Sequence, residues 1–177
     1  MAGQRLTDKT ALTEQLASGD LLMTVDVSDT TGSASGTSKQ IANKYVIQTD
    51  TLSLTASDLD LSSTPQTLVS APGAGYFIQP LTITCIVTWV SSGTSQSNYL
   101  YVSYNPAQTA TYLVSQRDFM KSESADTSFV FGGGKSTAGN GTNSLSIENK
   151  ALYVYSNVDY TGDFTMKWFT TYQIVKI

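Results

Sequence analysis

The stretch that decides the fold is LTITCIVTW, residues 81–89, in which apolar residues alternate with threonines and one isoleucine. One face carries Leu81, Ile83, Cys85, Val87 and Trp89, and the other carries Thr82, Thr84, Ile86 and Thr88. A period of two buries one face of a β-strand and leaves the other face toward water. The preceding residues 71–75, APGAG, break regular structure. We therefore predict a long strand that begins after this break.

Further strand signals follow at short intervals from residue 51 onward. They lie at residues 67–69, 99–104, 112–114, 129–131, 145–147, 152–155 and 164–174. Residues 57–61, SDLDL, indicate one helical turn. About eight short strands separated by Gly, Asn and Ser clusters, without a convincing helix, are typical of a sandwich or jelly roll. The predicted fold class is all-β, an antiparallel β-sandwich or jelly-roll-like domain preceded by an extended N-terminal anchor segment.

The first 50 residues differ in composition from the rest. Leucines punctuate a polar segment, residues 23–27 read as a short strand, and residues 30–38 are small and polar. Too few large apolar side chains occur there to close a core, so we expect a neighbour to order this segment. A chain of 177 residues accommodates one sandwich and one arm. We assign residues 1–50 to an N-terminal anchor or docking segment and residues 51–177 to a projecting β-sandwich.

Charge and hydropathy exclude two classes of partner. Ten Lys and Arg against fourteen Asp and Glu give a net charge of −4, and the basic residues are dispersed. Neutralising phosphates requires clustered basic residues, so we expect no nucleic-acid partner. No run reaches the apolar length of a membrane span, and the N-terminus lacks a secretory signal. We expect no membrane insertion and synthesis in a cytoplasm.

The chain lacks the residues that most catalytic and metal sites need. It contains no histidine and one cysteine, which removes the commonest general base and the commonest metal ligand. Cys85 lies on the apolar face of the main strand and is expected to be a small buried residue. Asp58 with Asp60 lacks the spacing of a calcium loop. We predict a non-enzymatic protein with no catalytic residues, no cofactor and no metal.

Tyrosine is the most informative surface residue. The chain has ten tyrosines, and several fall on predicted strands. Aromatic faces suit the apolar faces of sugar rings, but tyrosine is also common in strands and in subunit interfaces. Contact with a glycan and contact with a neighbouring subunit both remain open for Tyr99, Tyr101, Tyr153 and Tyr155.

Two phrases of the sequence resemble virion proteins of tailed bacteriophages. The first comprises RLTDKTALT (residues 5–13), ASGDLLMTVDVSD (17–29) and TSKQI (37–41). It is similar to a leader in which an "L-T-A-L…GD-L-L…V-D-V-S-D" phrase precedes a small polar loop and a "T-K-K-I" phrase. The second, TPQTLVSAPGAG (64–75), is similar to a phrase that opens a β-domain in phage fibre and decoration-like proteins. Together they cover less than half of the chain.

The resemblance implies a structural role in a virus particle. Such proteins are usually homo-oligomers, often trimers, whose N-terminal arm joins other virion proteins of the capsid or tail while a β-domain projects. We therefore expect a virion location, as a head fibre, a capsid decoration or a small tail-fibre component. The alternative is a host-surface glycan-binding module of a tail fibre, with host polysaccharide as partner. The expected docking residues in the arm are Leu6, Leu12, Leu16, Leu21, Leu22, Val25 and Val27.

Overall fold

A computed structural model describes residues 21–26, 31, 37–42, 46–61, 63–104, 106, 112–132 and 147–177. The chain divides into two compact units, Met1–Val46 and Ile47–Ile177. In the first unit, β1 (Leu21–Asp26) pairs antiparallel with β2 (Thr37–Ala42). The division falls four residues before the boundary expected from composition, because the first strand of the second unit already begins at Gln48.

The described residues of the second unit form eight strands and one short helix. The strands are β3 (Gln48–Thr55), β4 (Gln66–Val69), β5 (Tyr76–Trp89), β6 (Tyr99–Ser103), β7 (Val114–Arg117), β8 (Thr127–Gly132), β9 (Leu152–Ser156) and β10 (Phe164–Lys176). A 3-10 helix at Ala56–Leu59 follows β3 directly. This helix confirms the helical turn predicted near residue 57. β3 was not predicted from the sequence, because its residues, QTDTLSLT, include few large apolar side chains.

The strands form two antiparallel four-stranded sheets. One has the order β3-β10-β5-β8 and the other the order β4-β9-β6-β7. Chain connections pass repeatedly from one sheet to the other, and the resulting arrangement of eight strands is that of a jelly roll. The predicted all-β sandwich is therefore confirmed for this unit.

The long strands β5 and β10 lie side by side at the centre of the first sheet. Their antiparallel ladder runs from Phe164 opposite Trp89 to Lys176 opposite Tyr76. Alternate residues of each strand face the second sheet, and Ile83, Val87 and Trp168 are fully buried there. This burial confirms the period of two predicted from the sequence. Cys85 is buried on the same face, as expected.

The second sheet supplies the other half of the core. Leu100 and Val102 of β6 and Leu152 and Val154 of β9 are completely buried. They belong to the same cluster as the inward residues of β5 and β10. The two inner faces thus meet in one apolar layer, the arrangement by which sandwiches gain most of their stability.

A β-bulge in β5 corrects one sequence-based expectation. Thr171 of β10 pairs with Thr82, but the next residue, Tyr172, pairs with Pro80, so Leu81 has no opposite partner. The extra residue reverses which side chains face inward. Ile78 and Pro80 are buried before the bulge and Ile83 after it. Leu81, expected on the buried face, is therefore only partly buried.

One other predicted strand differs from the structure, and a second lies largely outside the described residues. The strand expected at residues 112–114 begins only at Val114 and continues to Arg117. Of the strand expected at residues 145–147, only Ile147 is described, and it belongs to no strand. Tertiary pairing decides such short segments, because their local apolar pattern is weak.

The isoleucines of β5 provide a direct test of this arrangement. Ile83 is 1% exposed and Ile86 is 47% exposed on the opposite face. Ile83→Ala should lower the free energy of unfolding by about 2–5 kcal/mol, since it opens a cavity in the core. The matched control Ile86→Ala should cost no more than about 1 kcal/mol, the range of strand propensity. Urea denaturation of both variants measures the difference, and equal losses would contradict the assigned faces.

Candidate functional site

The outer face of the second sheet carries a cluster of tyrosines. Because Leu100 and Val102 point inward, Tyr99 and Tyr101 of β6 point outward. Tyr101 lies opposite Tyr155 of β9, with ring centroids 5.4 Å apart, and its ring is 4.5 Å from that of Tyr112. Tyr99 stacks on Tyr101 at 5.9 Å. We call Tyr99, Tyr101, Tyr112 and Tyr155 the tyrosine cluster.

Burial divides the tyrosines singled out from the sequence. Tyr99 is 37% exposed, whereas Tyr101 and Tyr155 are 9% and 5% exposed. Tyr153 is half-buried and lies opposite Ser103. The structure therefore brings Tyr99, Tyr101 and Tyr155 together, adds Tyr112, and leaves little ring surface of Tyr101 or Tyr155 open to a ligand.

Burial also governs the ionisation of this cluster. It raises the pKa of the Tyr155 hydroxyl to about 12, although a hydrogen bond with Ser103 acts in the opposite direction. Burial likewise raises the pKa of Tyr101, and the neighbouring hydroxyls of Tyr112 and Tyr99 add to the increase. Both groups are neutral phenols at physiological pH, so they offer packing surface and hydrogen bonds, without charge.

The outer face of the first sheet is different, because hydroxyl groups dominate it. Its cross-strand rows are Thr55–Thr165–Thr88, then Ser53–Lys167–Ile86–Ser128, then Thr51–Phe169–Thr84–Val130, then Thr49–Thr171–Thr82. We call this surface the hydroxyl face. Sequence analysis did not single it out as a site. Its signal is nevertheless present as the alternation of threonine with apolar residues in β5 and β10.

A groove of about 460 Å³ lies on the hydroxyl face. Its lining comes from β3, β10, β5 and the 3-10 helix, and comprises Ser53, Leu54, Thr55, Asp58, Ile86, Thr88, Thr165, Met166 and Lys167. The volume falls within the range of about 300–1,000 Å³ that is typical of small-molecule sites. The lining provides hydroxyls, one carboxylate, one ammonium and an exposed isoleucine.

Local hydrogen bonds hold the carboxylate of the groove in place and ionised. Asp58 Oδ2 accepts hydrogen bonds of 2.7 Å from the backbone N–H and from the hydroxyl of Thr55. These bonds lower the pKa of Asp58, the backbone bond being the larger cause. They also form the N-terminal cap of the 3-10 helix. The ammonium of Lys167 lies 5.3 Å from the centre of the Phe169 ring, a cation–π contact.

The described residues contain neither a reactive thiol nor a cluster of metal ligands. Burial raises the pKa of the Cys85 thiol far above its ordinary value, so this thiol is not a thiolate nucleophile. Within the described ranges, no group of three or more Cys, Asp or Glu residues is placed to hold a metal ion. No helix in the described part of the chain is long and apolar enough to cross a membrane.

Comparison with protein-family models, with curated proteins and with solved structures finds no match to this chain.

The buried tyrosines predict a loss of stability at alkaline pH. Burial raises the pKa values of Tyr104, Tyr155 and Tyr160 from 10 to about 12. The neutral hydroxyl is thus favoured in the folded state, and its contribution is complete below pH 10 and lost as the pH rises toward 12. The midpoint of alkaline unfolding should fall in this interval, as measured by circular dichroism alongside tyrosinate absorbance. Unfolding complete below pH 9 would contradict this assignment.

Tyr155→Phe isolates one of these hydroxyls. Near neutral pH the variant should lose about 0.5–1.5 kcal/mol of stability, because it lacks the hydrogen bond with Ser103. Above pH 10 the difference in unfolding free energy between the variant and the wild type should narrow, because the variant has one ionisable group fewer. Tyr99→Phe, at the exposed ring, is the control. A difference in unfolding free energy that widens with pH would contradict the raised pKa of the Tyr155 hydroxyl.

Proposed function

We propose that this protein is a non-enzymatic structural component of a bacteriophage virion. In this proposal the front segment attaches the chain to capsid or tail proteins, and the β-sandwich projects as a head fibre or decoration. The resemblance of residues 5–41 and 64–75 to phage virion proteins carries the proposal, and the division of the chain at Val46 and Ile47 supports a separate attachment segment. Every residue of the described core cluster, including those packed at its margin, lies between Leu52 and Ile174. The sandwich therefore has a core of its own.

The second phrase that resembles phage proteins has a clear physical role in the sandwich. Its TLV residues fall in β4, and its APGAG residues form the turn that precedes β5. Gly73 and Gly75 have positive φ angles of 100° and 78°, a conformation that favours glycine. Their N–H groups donate to Asn149 Oδ1 and Glu148 Oε1 at 2.9 and 2.7 Å. The phrase thus specifies a turn that the sandwich requires.

The proposal assigns attachment to the front segment. Leu21, Leu22 and Val25 lie on β1, whereas Leu6, Leu12, Leu16 and Val27 fall outside the described residues. The proposed partners are other virion proteins of the capsid or tail and further copies of this chain, as a homotrimer. The protein would be made in the cytoplasm of the bacterial host and reside in the virion.

A second candidate function is contact with polysaccharide of the host surface. The tyrosine cluster supports it weakly. Of Tyr99, Tyr101 and Tyr155, which the sequence singled out, only Tyr99 exposes much of its ring. The groove on the hydroxyl face supports it better, since hydroxyls, two opposite charges and an apolar side chain meet there. The two functions are compatible, because attachment and adhesion use different parts of the chain.

Removal of residues 1–46 tests the structural proposal. The remaining sandwich should stay folded, because it retains the whole described core. It should no longer join virus particles assembled without the native chain, as measured by co-sedimentation with those particles. Leu16→Asp and Leu22→Asp in the full chain should reduce incorporation at least tenfold. Thr13→Asp adds the same charge outside the proposed docking residues and is the control. Full incorporation of the truncated protein would contradict the proposal.

A further inference from the structure

We propose that the groove on the hydroxyl face binds a neutral oligosaccharide. This site is distinct from the tyrosine cluster, which lies on the outer face of the other sheet. It deepens the second candidate function, contact with host polysaccharide, on which it rests, and it does not depend on attachment through the front segment. The inference rests on the chemistry of the groove lining, on its charge and on the composition of the face.

The hydroxyls of the groove form an ordered array. Thr55, Thr165 and Thr88 occupy one row across β3, β10 and β5, and Ser53 begins the next row. Neighbouring strands lie about 4.8 Å apart, and successive rows about 6.7 Å apart. These spacings are on the scale of a sugar ring. The Thr55 hydroxyl already donates to Asp58. The hydroxyls of Ser53, Thr165 and Thr88 can each donate one hydrogen bond and accept others, so they can match sugar hydroxyls in either role.

The groove also supplies an apolar contact. Ile86 lies in the row between Lys167 and Ser128 and exposes nearly half of its surface. An apolar side chain surrounded by hydroxyls matches a sugar ring, which presents C–H groups on its faces and hydroxyls around its edge. Burying the Ile86 side chain against such a face would provide the hydrophobic part of the affinity.

The charges of the groove favour a neutral ligand. Its lining contains one carboxylate, Asp58, and one ammonium, Lys167, so their formal charges cancel. The chain as a whole carries a net charge of −4, which disfavours polyanions. Asp58 can accept from sugar hydroxyls and Lys167 can donate to them, and such charge-assisted hydrogen bonds are stronger than neutral ones. The pair would thus orient the sugar in the groove.

A second copy of the chain is a poorer occupant of this face. Interface cores are depleted in serine and enriched in aromatic residues and methionine. The hydroxyl face shows the opposite composition, apart from Phe169. A small hydroxylated ligand fits this composition better.

Saturation-transfer NMR on the full chain tests the proposal, with maltotriose, cellotriose and chitotriose as probes. At least one probe should bind. Thr88→Val removes one hydroxyl of the groove and should raise Kd about three- to tenfold, the effect of one net hydrogen bond. Ile86→Ala should raise it by a similar factor. Thr84→Val lies on the same strand and face but outside the groove, and it should leave Kd unchanged.

Four outcomes would overturn the proposal. The first two are no binding of any probe and an equal effect of Thr84→Val and Thr88→Val. The others are loss of binding in Tyr99→Ala with no loss in the groove variants, and stronger binding of an anionic polysaccharide such as hyaluronan. None of these results bears on incorporation into particles. Failure of the groove is therefore distinguishable from failure of the structural role, which the front-segment variants test.

Discussion

The pairing of β5 with β10 is the interaction on which the rest of the structure depends. These two strands are the longest in the chain, and each has a neighbour on its other side, β8 for β5 and β3 for β10. Their inward side chains include Trp168, the largest fully buried residue. The second sheet packs on this layer. Because burial of apolar surface is the main favourable term in folding, a sandwich without the central ladder would have neither a first sheet nor a surface for the second.

The two sheets share one apolar core, but their outer faces carry different residues. On the second sheet the outward positions carry tyrosines, and Tyr101 and Tyr155 pack against each other until little of either ring remains exposed. On the first sheet the outward positions carry hydroxyls, a few apolar side chains and Lys167. Strand periodicity alone requires only that these residues face outward. The two faces therefore differ in what they offer a ligand: packed phenol rings on one, and hydroxyls around a groove on the other.

The sequence predicts most of the sandwich because its strongest signals are local. The alternation in β5 and β10 extends over many residues and needs no knowledge of partners, so both strands were predicted, with their buried faces. The bulge at Leu81 could not be predicted, because it depends on how Thr171 and Tyr172 pair with β5. β3 was missed for a related reason. Its polar sequence becomes a strand because β10 offers it an edge to pair with.

The candidate sites were harder to predict than the strands. The sequence placed Tyr99, Tyr101 and Tyr155 on strands, yet the alternation does not reveal that they meet on one outer face or that Tyr101 and Tyr155 bury each other. The groove requires β3, β10 and β5 to be neighbours, an order that no local pattern encodes. The hydroxyl-rich strands were visible in the sequence, but their convergence was not.

The central proposal is that the sandwich, which has its own core, folds and assembles independently, while the front segment provides attachment. Light scattering of the full chain and of residues 47–177, each checked for folding by circular dichroism, tests this claim most directly. The account predicts a folded fragment with the same number of subunits as the full chain, a trimer in both. An unfolded fragment, or one that is monomeric while the full chain is oligomeric, would contradict it and locate assembly in the front segment.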